Sequence, residues 1–178
     1  MVKEIFYPVY MQSLSKEEVA DILVKNQKEL VGKSIKADLS ALAKGKLGEI
    51  KGKIREVKEG KIFADPTGIK LYPSYIKRFV RRGVSKIDES FIVETSDKII
   101  VRIKPTLITR KRVSRNVQTA LRKETKEFLV KLFASQKLDE IFGGVISGEI
   151  QKKLSKKLKK VYPLSFCEIR EFFIVKKK

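Results

Sequence analysis

Residues Ser74–Arg115 read SYIKRFVRRGVSKIDESFIVETSDKIIVRIKPTLITRKRVSR. Tyr75, Ile76, Phe79 and Val80 fall on one helical face, with Lys77, Arg78, Arg81 and Arg82 opposite. Ser74 is placed to cap this helix and Gly83 to stop it. A hairpin follows: Phe91, Val93 and Thr95 alternate with Ile92 and Glu94, Ser96-Asp97 turns the chain, and Ile99, Val101 and Ile103 alternate on the return. The segment leaves through Pro105 into Arg110-Lys111-Arg112 and Arg115. A compact apolar unit therefore carries a cationic run at each end, and no acid lies between Ser74 and Ile87.

Downstream the period becomes helical. Val117, Ala120, Leu121, Phe128, Leu129 and Leu132 predict a helix from Ser114 to about Ser135. Leu138, Ile141 and Phe142 mark a short helix stopped by Gly143-Gly144. Ser147 caps a third, with Ile150, Leu154, Leu158 and Val161 as a narrow apolar stripe on a lysine-rich cylinder ended by Pro163. Phe166–Val175 reads as a closing strand before a basic tail.

Upstream, Ile5–Met11 is extended and contains Pro8, which suits an edge strand or an anchoring arm. Ser15 with Glu18 forms a capping box for a helix whose apolar face is Val19, Ile22 and Leu23. A strand within Leu30–Leu42 turns Ile35, Ala37 and Leu39 inward. From Leu47 to Tyr72 the pattern is β, with turns at Glu59-Gly60 and at Asp65-Pro66-Thr67-Gly68. The expected fold class is α+β: a curled antiparallel sheet or barrel, C-terminal helices packed on it, and a final returning strand. One domain is expected over 1–178: 1–113 mainly β with two short helices, 114–163 helical, 164–175 the closing strand and 176–178 a basic tail.

The 178 residues hold 41 Lys+Arg against 21 Asp+Glu, a formal charge of +20. Residues 1–40 contain six of each sign, so the remainder carries the whole excess. A folded chain so charged repels itself and belongs beside a polyanion, with nucleic acid the leading candidate. Arg78, Arg81 and Arg82, with Lys77, make a first cationic group; Arg110, Lys111, Arg112, Arg115, Arg122 and Lys123 a second; Lys152, Lys156, Lys157 and Lys160 of the third helix a last. Arginine dominates the first two, which suits paired contacts to phosphate oxygens. Tyr72, Tyr75 and Tyr162 lie beside these groups and are placed to stack on bases, whereas Phe79 is assigned to the core.

Catalysis is poorly supported. The chain has no histidine, which removes most general-base, metal and triad designs. Cys167, the single cysteine, lies in an alternating strand and reads as a buried structural thiol. Asp88, Glu94 and Asp97 are the one carboxylate set open to a magnesium-dependent RNA-processing reading, against a simpler reading as turn and strand-edge residues. The lysine helix has too narrow an apolar stripe for an interfacial membrane helix. No apolar run approaches a membrane span and no signal-peptide core is present, so a cytoplasmic protein is expected. No cofactor, catalytic residue, metal site, membrane partner or small-molecule substrate is expected. A free nucleic-acid-binding protein, of chromatin or RNA-chaperone type, is the alternative to a fixed component of a larger particle.

YIKRFVRRGVSKIDESFIVETSDKIIVRIKPTLIT resembles a block of the S3Ae family of small-subunit ribosomal proteins of archaea and eukaryotes. The resemblance rests on Arg81-Arg82, Ser85-Lys86-Ile87-Asp88, the Phe91–Ile103 hairpin and Thr109-Arg110-Lys111-Arg112, together with LVGKSIKADLSAL near the start and VYPLSFCEIRE near the end. These blocks are collinear from about Phe6 to Val175. Members usually begin with a basic arm before the first strand, and this chain starts at about the tyrosine that follows it. Thr67-Gly68-Ile69-Lys70-Leu71 also replaces the family's polar turn before the Tyr75 helix. The resemblance implies a structural ribosomal protein on the small-subunit platform, near the mRNA exit. Its partners would be small-subunit rRNA and neighbouring platform proteins, with no cofactor and no catalysis.

Overall fold

A computed structural model describes residues 5–11, 18–24, 30–43, 45–58 and 61–176. Two compact units divide the chain, Met1–Lys70 and Leu71–Lys178.

The first unit contains β1 (Ile5–Tyr10), β2 (Glu18–Val24), β3 (Ser34–Asp38), β4 (Gly48–Lys58) and β5 (Lys61–Leu71), in spatial order β2-β1-β5-β4-β3. Glu18–Val24 is a strand, against the expected helix. It pairs antiparallel with β1, Tyr7 opposite Ile22 and Val9 opposite Ala20. The capping residue Ser15 lies outside the described residues, and a long-range ladder to β1 outweighs the local helix signal in a segment rich in Val and Ile. β1 is not an edge strand either, since Val9 and Tyr10 pair in parallel with Ile62 and Phe63 of β5. Pro8, with no N–H to donate, sits just before that second pairing begins.

Asp65-Pro66-Thr67-Gly68 does not turn the chain. β5 runs straight through it, with Ile62, Ala64, Pro66 and Gly68 at alternate inward positions. Burial of one strand face outweighs four residues of turn composition. Glu59-Gly60 lies outside the described residues. In β3, Ile35 and Ala37 point inward as expected, and Asp38 accepts a hydrogen bond from Ser40 N (3.2 Å) to start a short 3-10 turn. Gly52 of β4 is required by close approach, because a Cβ there would lie 2.8 Å from Met11 Cε and 3.3 Å from the Asp65 carbonyl oxygen.

The second unit contains α1 (Pro73–Lys77), β6 (Lys86–Asp88), β7 (Phe91–Glu94), β8 (Ile100–Thr109), α2 (Arg115–Ser135), α3 (Leu138–Ser147), α4 (Glu149–Leu158) and β9 (Leu164–Lys176). β8 pairs antiparallel with β9 along its length, and with β6 and β7 on its other side. The β7–β8 hairpin turns at Ser96-Asp97 as expected, closed by Thr95 N donating to the Ile99 carbonyl at 3.0 Å. Pro105 does not end β8. It falls at a register irregularity between Lys104 and Pro105, the kind of site where a ladder tolerates proline. The α+β class, the C-terminal helices and the returning strand β9 stand as expected. Of sheet or barrel, neither unit closes into a barrel: among the described residues β2 and β3 are left as edges in the first unit, and β6 and β7 in the second.

Helix α2 keeps its expected ends, but its buried stripe is Leu121, Thr125, Leu129 and Phe133. Thr125 is tolerated there because its hydroxyl donates to the Leu121 carbonyl at 2.6 Å. Gly143-Gly144 does not stop α3. Gly144 lies against Ile150, whose side chain would stand 2.9 Å from a Cβ, so the glycine lets α4 approach. Gly148, at φ 79°, rather than Ser147, caps α4. Ile150, Leu154 and Leu158 are buried against β9 and α2, whereas Val161 lies beyond the helix and is exposed. The stripe is thus core, and no described helix is long and apolar enough to cross a membrane.

Candidate nucleic-acid interface

Helix α1 is shorter than its periodicity suggests. Pro73 occupies its first turn, Tyr72 rather than Ser74 is the capping position, and the helix ends at Lys77. Arg78, Arg81 and Arg82 therefore leave the helix onto an exposed turn rather than lining its polar face. That turn depends on Gly83, which holds φ at 81°. Nothing stands within 4 Å of a Cβ at this position, so a substitution meets only backbone strain. Gly83→Val is expected to lower stability by about 1 kcal/mol or more, because a β-branched residue resists positive φ. An unchanged urea midpoint would show that the turn does not need the glycine.

The second cationic group is anchored by a pair of hydroxyl residues. Ser85 N donates to Thr109 Oγ1 (3.0 Å), Thr109 N to the Ser85 carbonyl (3.0 Å), and Val113 N to Ser85 Oγ (3.1 Å). Thr109 Oγ1 also lies 2.6 Å from the Lys111 carbonyl, and Ser165 Oγ donates to the Ile108 carbonyl at 3.1 Å. Ser85 and Thr109 are buried, so these bonds are shielded from water. The chain between β8 and α2 has a fixed path, and Arg110, Lys111, Arg112 and Arg115 project from it into solvent.

Two of the three cationic groups meet. Arg78, Phe79 and Arg81 on one segment, Arg110 on the other, and Val84 and Ser165 line a half-open cleft of about 330 Å3. Phe79 is not core as expected. It is 38% exposed, with its ring stacked on Phe166 at 4.2 Å and 23°. Tyr75 packs edge-on against Phe79 (5.5 Å) and Phe166 (6.1 Å), and is not a free stacking platform. Burial raises the Tyr75 pKa, the charge of Glu168 adds to this, and Arg78 opposes it. Tyr72 is exposed and Tyr162 half-buried. Sequence reasoning missed Val84 and Ser165 as lining residues, since neither carries a charge or a motif.

The remaining basic residues are more dispersed. Arg122 pairs with Glu89 at 3.6 Å, while Lys77 and Lys123 are exposed. Lys152 and Lys156 are exposed on α4, whereas Lys160, expected on the helix, is exposed on the turn that follows it. Lys157 instead pairs with Glu124 (3.3 Å) and lies over the Phe128 ring at 5.4 Å, so part of its charge is answered within the protein.

Two of the three carboxylates of the magnesium reading have structural work. Asp88 accepts from Thr106 Oγ1 (2.6 Å) and pairs with Lys86 (2.8 Å). Burial raises its pKa, but those two hydrogen bonds and the charges of Lys86 and Arg170 outweigh it, so its carboxyl sits below the usual range. Asp97 accepts from Leu138 N at 2.9 Å and tethers the start of α3 to the hairpin turn. Among the described residues no group of three or more His, Cys, Asp or Glu is placed to hold a metal ion. Burial, with Glu168 adding to it, pushes the Cys167 thiol up to about 12, which keeps it protonated and unreactive near neutral pH.

An α+β chain whose Asp88 and Asp97 carboxylates serve as structural tethers, and whose cationic surface is fixed by buried hydroxyl hydrogen bonds, has the features of a structural, polyanion-facing protein. The model of the Ribosomal S3Ae family matches residues 2–178, and the chain belongs to that family. It is a structural ribosomal protein rather than an enzyme, and acts in the cytoplasm as part of the ribosome. It is 27% identical to the small ribosomal subunit protein eS1 of Nanoarchaeum equitans, over 97% of this chain and 89% of the relative. It is also 27% identical to the proteins of that name from Methanothermobacter thermautotrophicus (84% of this chain, 74% of the relative) and Methanothrix thermoacetophila (96% and 82%). The resemblance read from the sequence is therefore correct.

Proposed function

We propose that this protein is an architectural component of the small ribosomal subunit that binds rRNA on the platform, near the mRNA exit, beside neighbouring platform proteins. The observation that carries the rRNA reading is the convergence of Arg78, Arg81 and Arg110 on a surface fixed by the Ser85–Thr109 hydrogen bonds. Folded RNA crowds phosphates together, and guanidinium groups held in place neutralise them with little loss of side-chain freedom. Recognition is electrostatic and shape-based, with no bond made or broken. Lys77, Arg82, Lys111, Arg112, Arg115, Arg122, Lys123, Lys152, Lys156, Lys157 and Lys160 extend the same field around the cleft arginines.

Sedimentation of a cell extract tests the assignment. The protein is expected to migrate with small subunits and to stay there through a high-salt wash, because contacts made within a folded particle resist screening better than loose surface attraction. Release into light fractions at moderate salt would instead mark a free nucleic-acid-binding protein.

A further inference from the structure

Resting on the RNA-binding reading above, we infer that the cleft between Phe79 and Arg110 seats one unpaired nucleotide of an RNA strand. Its base lies on the Phe79 ring, and the phosphates on either side reach Arg78, Arg81 and Arg110. Four observations converge on this ligand.

Phe79 is 38% exposed and shares the cleft with three arginines. Its stack on Phe166, itself buried in β9, holds it still, so little side-chain entropy is lost when a base arrives. Base–aromatic stacking tolerates any base, since every base has a π-face.

The charge is of one sign. Three guanidinium groups and no carboxylate line the cleft, and they come from two segments held together by the Ser85–Thr109 bonds. The spacing of phosphates on either side of a single nucleotide calls for cations from more than one direction.

The size selects a small ligand. At about 330 Å3 the cleft is near the lower end of ligand pockets, which start at about 300 Å3. A nucleotide splayed out from a strand enters such a space, whereas a duplex does not.

The hydroxyl chemistry suits a base edge. Ser165 Oγ gives its one proton to the backbone, at 3.1 Å from the Ile108 carbonyl and 3.4 Å from that of Thr109. It therefore meets the cleft as an acceptor, and favours a base that presents an N–H. Val84 supplies the apolar wall.

The full chain is tested with a short single-stranded RNA carrying 2-aminopurine, the same RNA as a duplex, and free 2-aminopurine riboside monophosphate. Binding of the single strand is expected to quench the fluorescence, with affinity at least about tenfold above that for the duplex. The free monophosphate, lacking the second phosphate, is expected to bind far more weakly. Phe79→Leu is expected to abolish the quenching and weaken single-strand binding about tenfold, the size of one base–aromatic stack. Phe79→Tyr should restore both. Arg81→Glu, on an exposed side chain outside the core, is expected to weaken single-strand binding more than tenfold with thermal unfolding unchanged. Wild-type affinity in Phe79→Leu and Arg81→Glu, or quenching that survives without Phe79, overturns the inference. So does a free monophosphate that binds as tightly as the strand. A wild-type chain that holds folded rRNA but ignores the single strand overturns the cleft alone, whereas one that holds neither overturns the rRNA reading as well.

Discussion

Replacing Phe172 with alanine is expected to destabilise the second unit by about 3–5 kcal/mol, the range for deleting a fully buried phenyl ring. Phe172 on β9 has no solvent exposure. The Phe133 ring of α2 meets it at 6.1 Å and 67°, and the Phe142 ring of α3 at 4.9 Å and 86°. Each edge-to-face pair adds about 0.5–1.5 kcal/mol beyond the area it buries. One side chain thus joins the returning strand to two helices, and alanine would leave two buried rings facing a void. Urea unfolding should show a lower midpoint with an unchanged slope. Val175→Ala, on the same strand but 51% exposed, should stay within about 0.5 kcal/mol of wild type. A Phe172→Ala loss below about 1 kcal/mol would mean that the helices are held by other contacts.

That contrast between neighbours on one strand also shows what is legible in a sequence. Phe166–Val175 announces a strand, and Ser114–Ser135 a helix, because their periods are local and run for many residues. The buried stripe of α2 is harder to read. Phe133 lies at its last turn, and Thr125 is buried only because its hydroxyl bonds back to Leu121. Local signals fail where a distant partner decides the outcome. Ser15 and Glu18 spell a helix start, yet Glu18–Val24 takes the ladder offered by β1. Asp65-Pro66-Thr67-Gly68 spells a turn, yet one buried face carries β5 through it. The cationic residues themselves are all visible as composition, but their meeting is not. It depends on the register of β6 with β8, Lys86 opposite Ile108, which sets Ser85 beside Thr109 and brings the Arg78–Val84 turn to Arg110. β6 has three residues, too few to show a period. The hairpin beside it, with its longer strands and polar turn, can be read directly.

The same register makes a prediction about which positive charges matter. Changing Arg78, Arg81 and Arg110 together to alanine is expected to weaken binding to a small-subunit rRNA fragment about a hundredfold at moderate salt. Changing Lys152, Lys156 and Lys160 together is expected to weaken it by less than about fivefold. Both variants remove three charges from exposed positions, so long-range attraction falls equally and the difference reports local binding. The arginines sit on turns pinned by buried hydrogen bonds and make paired contacts to phosphate oxygens. Lys152 and Lys156 project as separate point charges from α4, and Lys160 from the turn after it, where binding must freeze long, mobile stems. Removing a side chain that neutralises a phosphate should also flatten the salt dependence, by a log–log slope of roughly 0.7–0.9 per phosphate, depending on how much of the RNA is paired. The arginine variant should therefore lose a slope of about 2 to 3, and the lysine variant less than about 1. Affinity measured across several salt concentrations, with folding checked for each variant, decides the matter. Equal slopes in the two variants would show that the whole basic surface acts as a diffuse field. A larger loss of affinity from the lysine changes would place the principal RNA-binding surface on α4 instead of the arginine cleft.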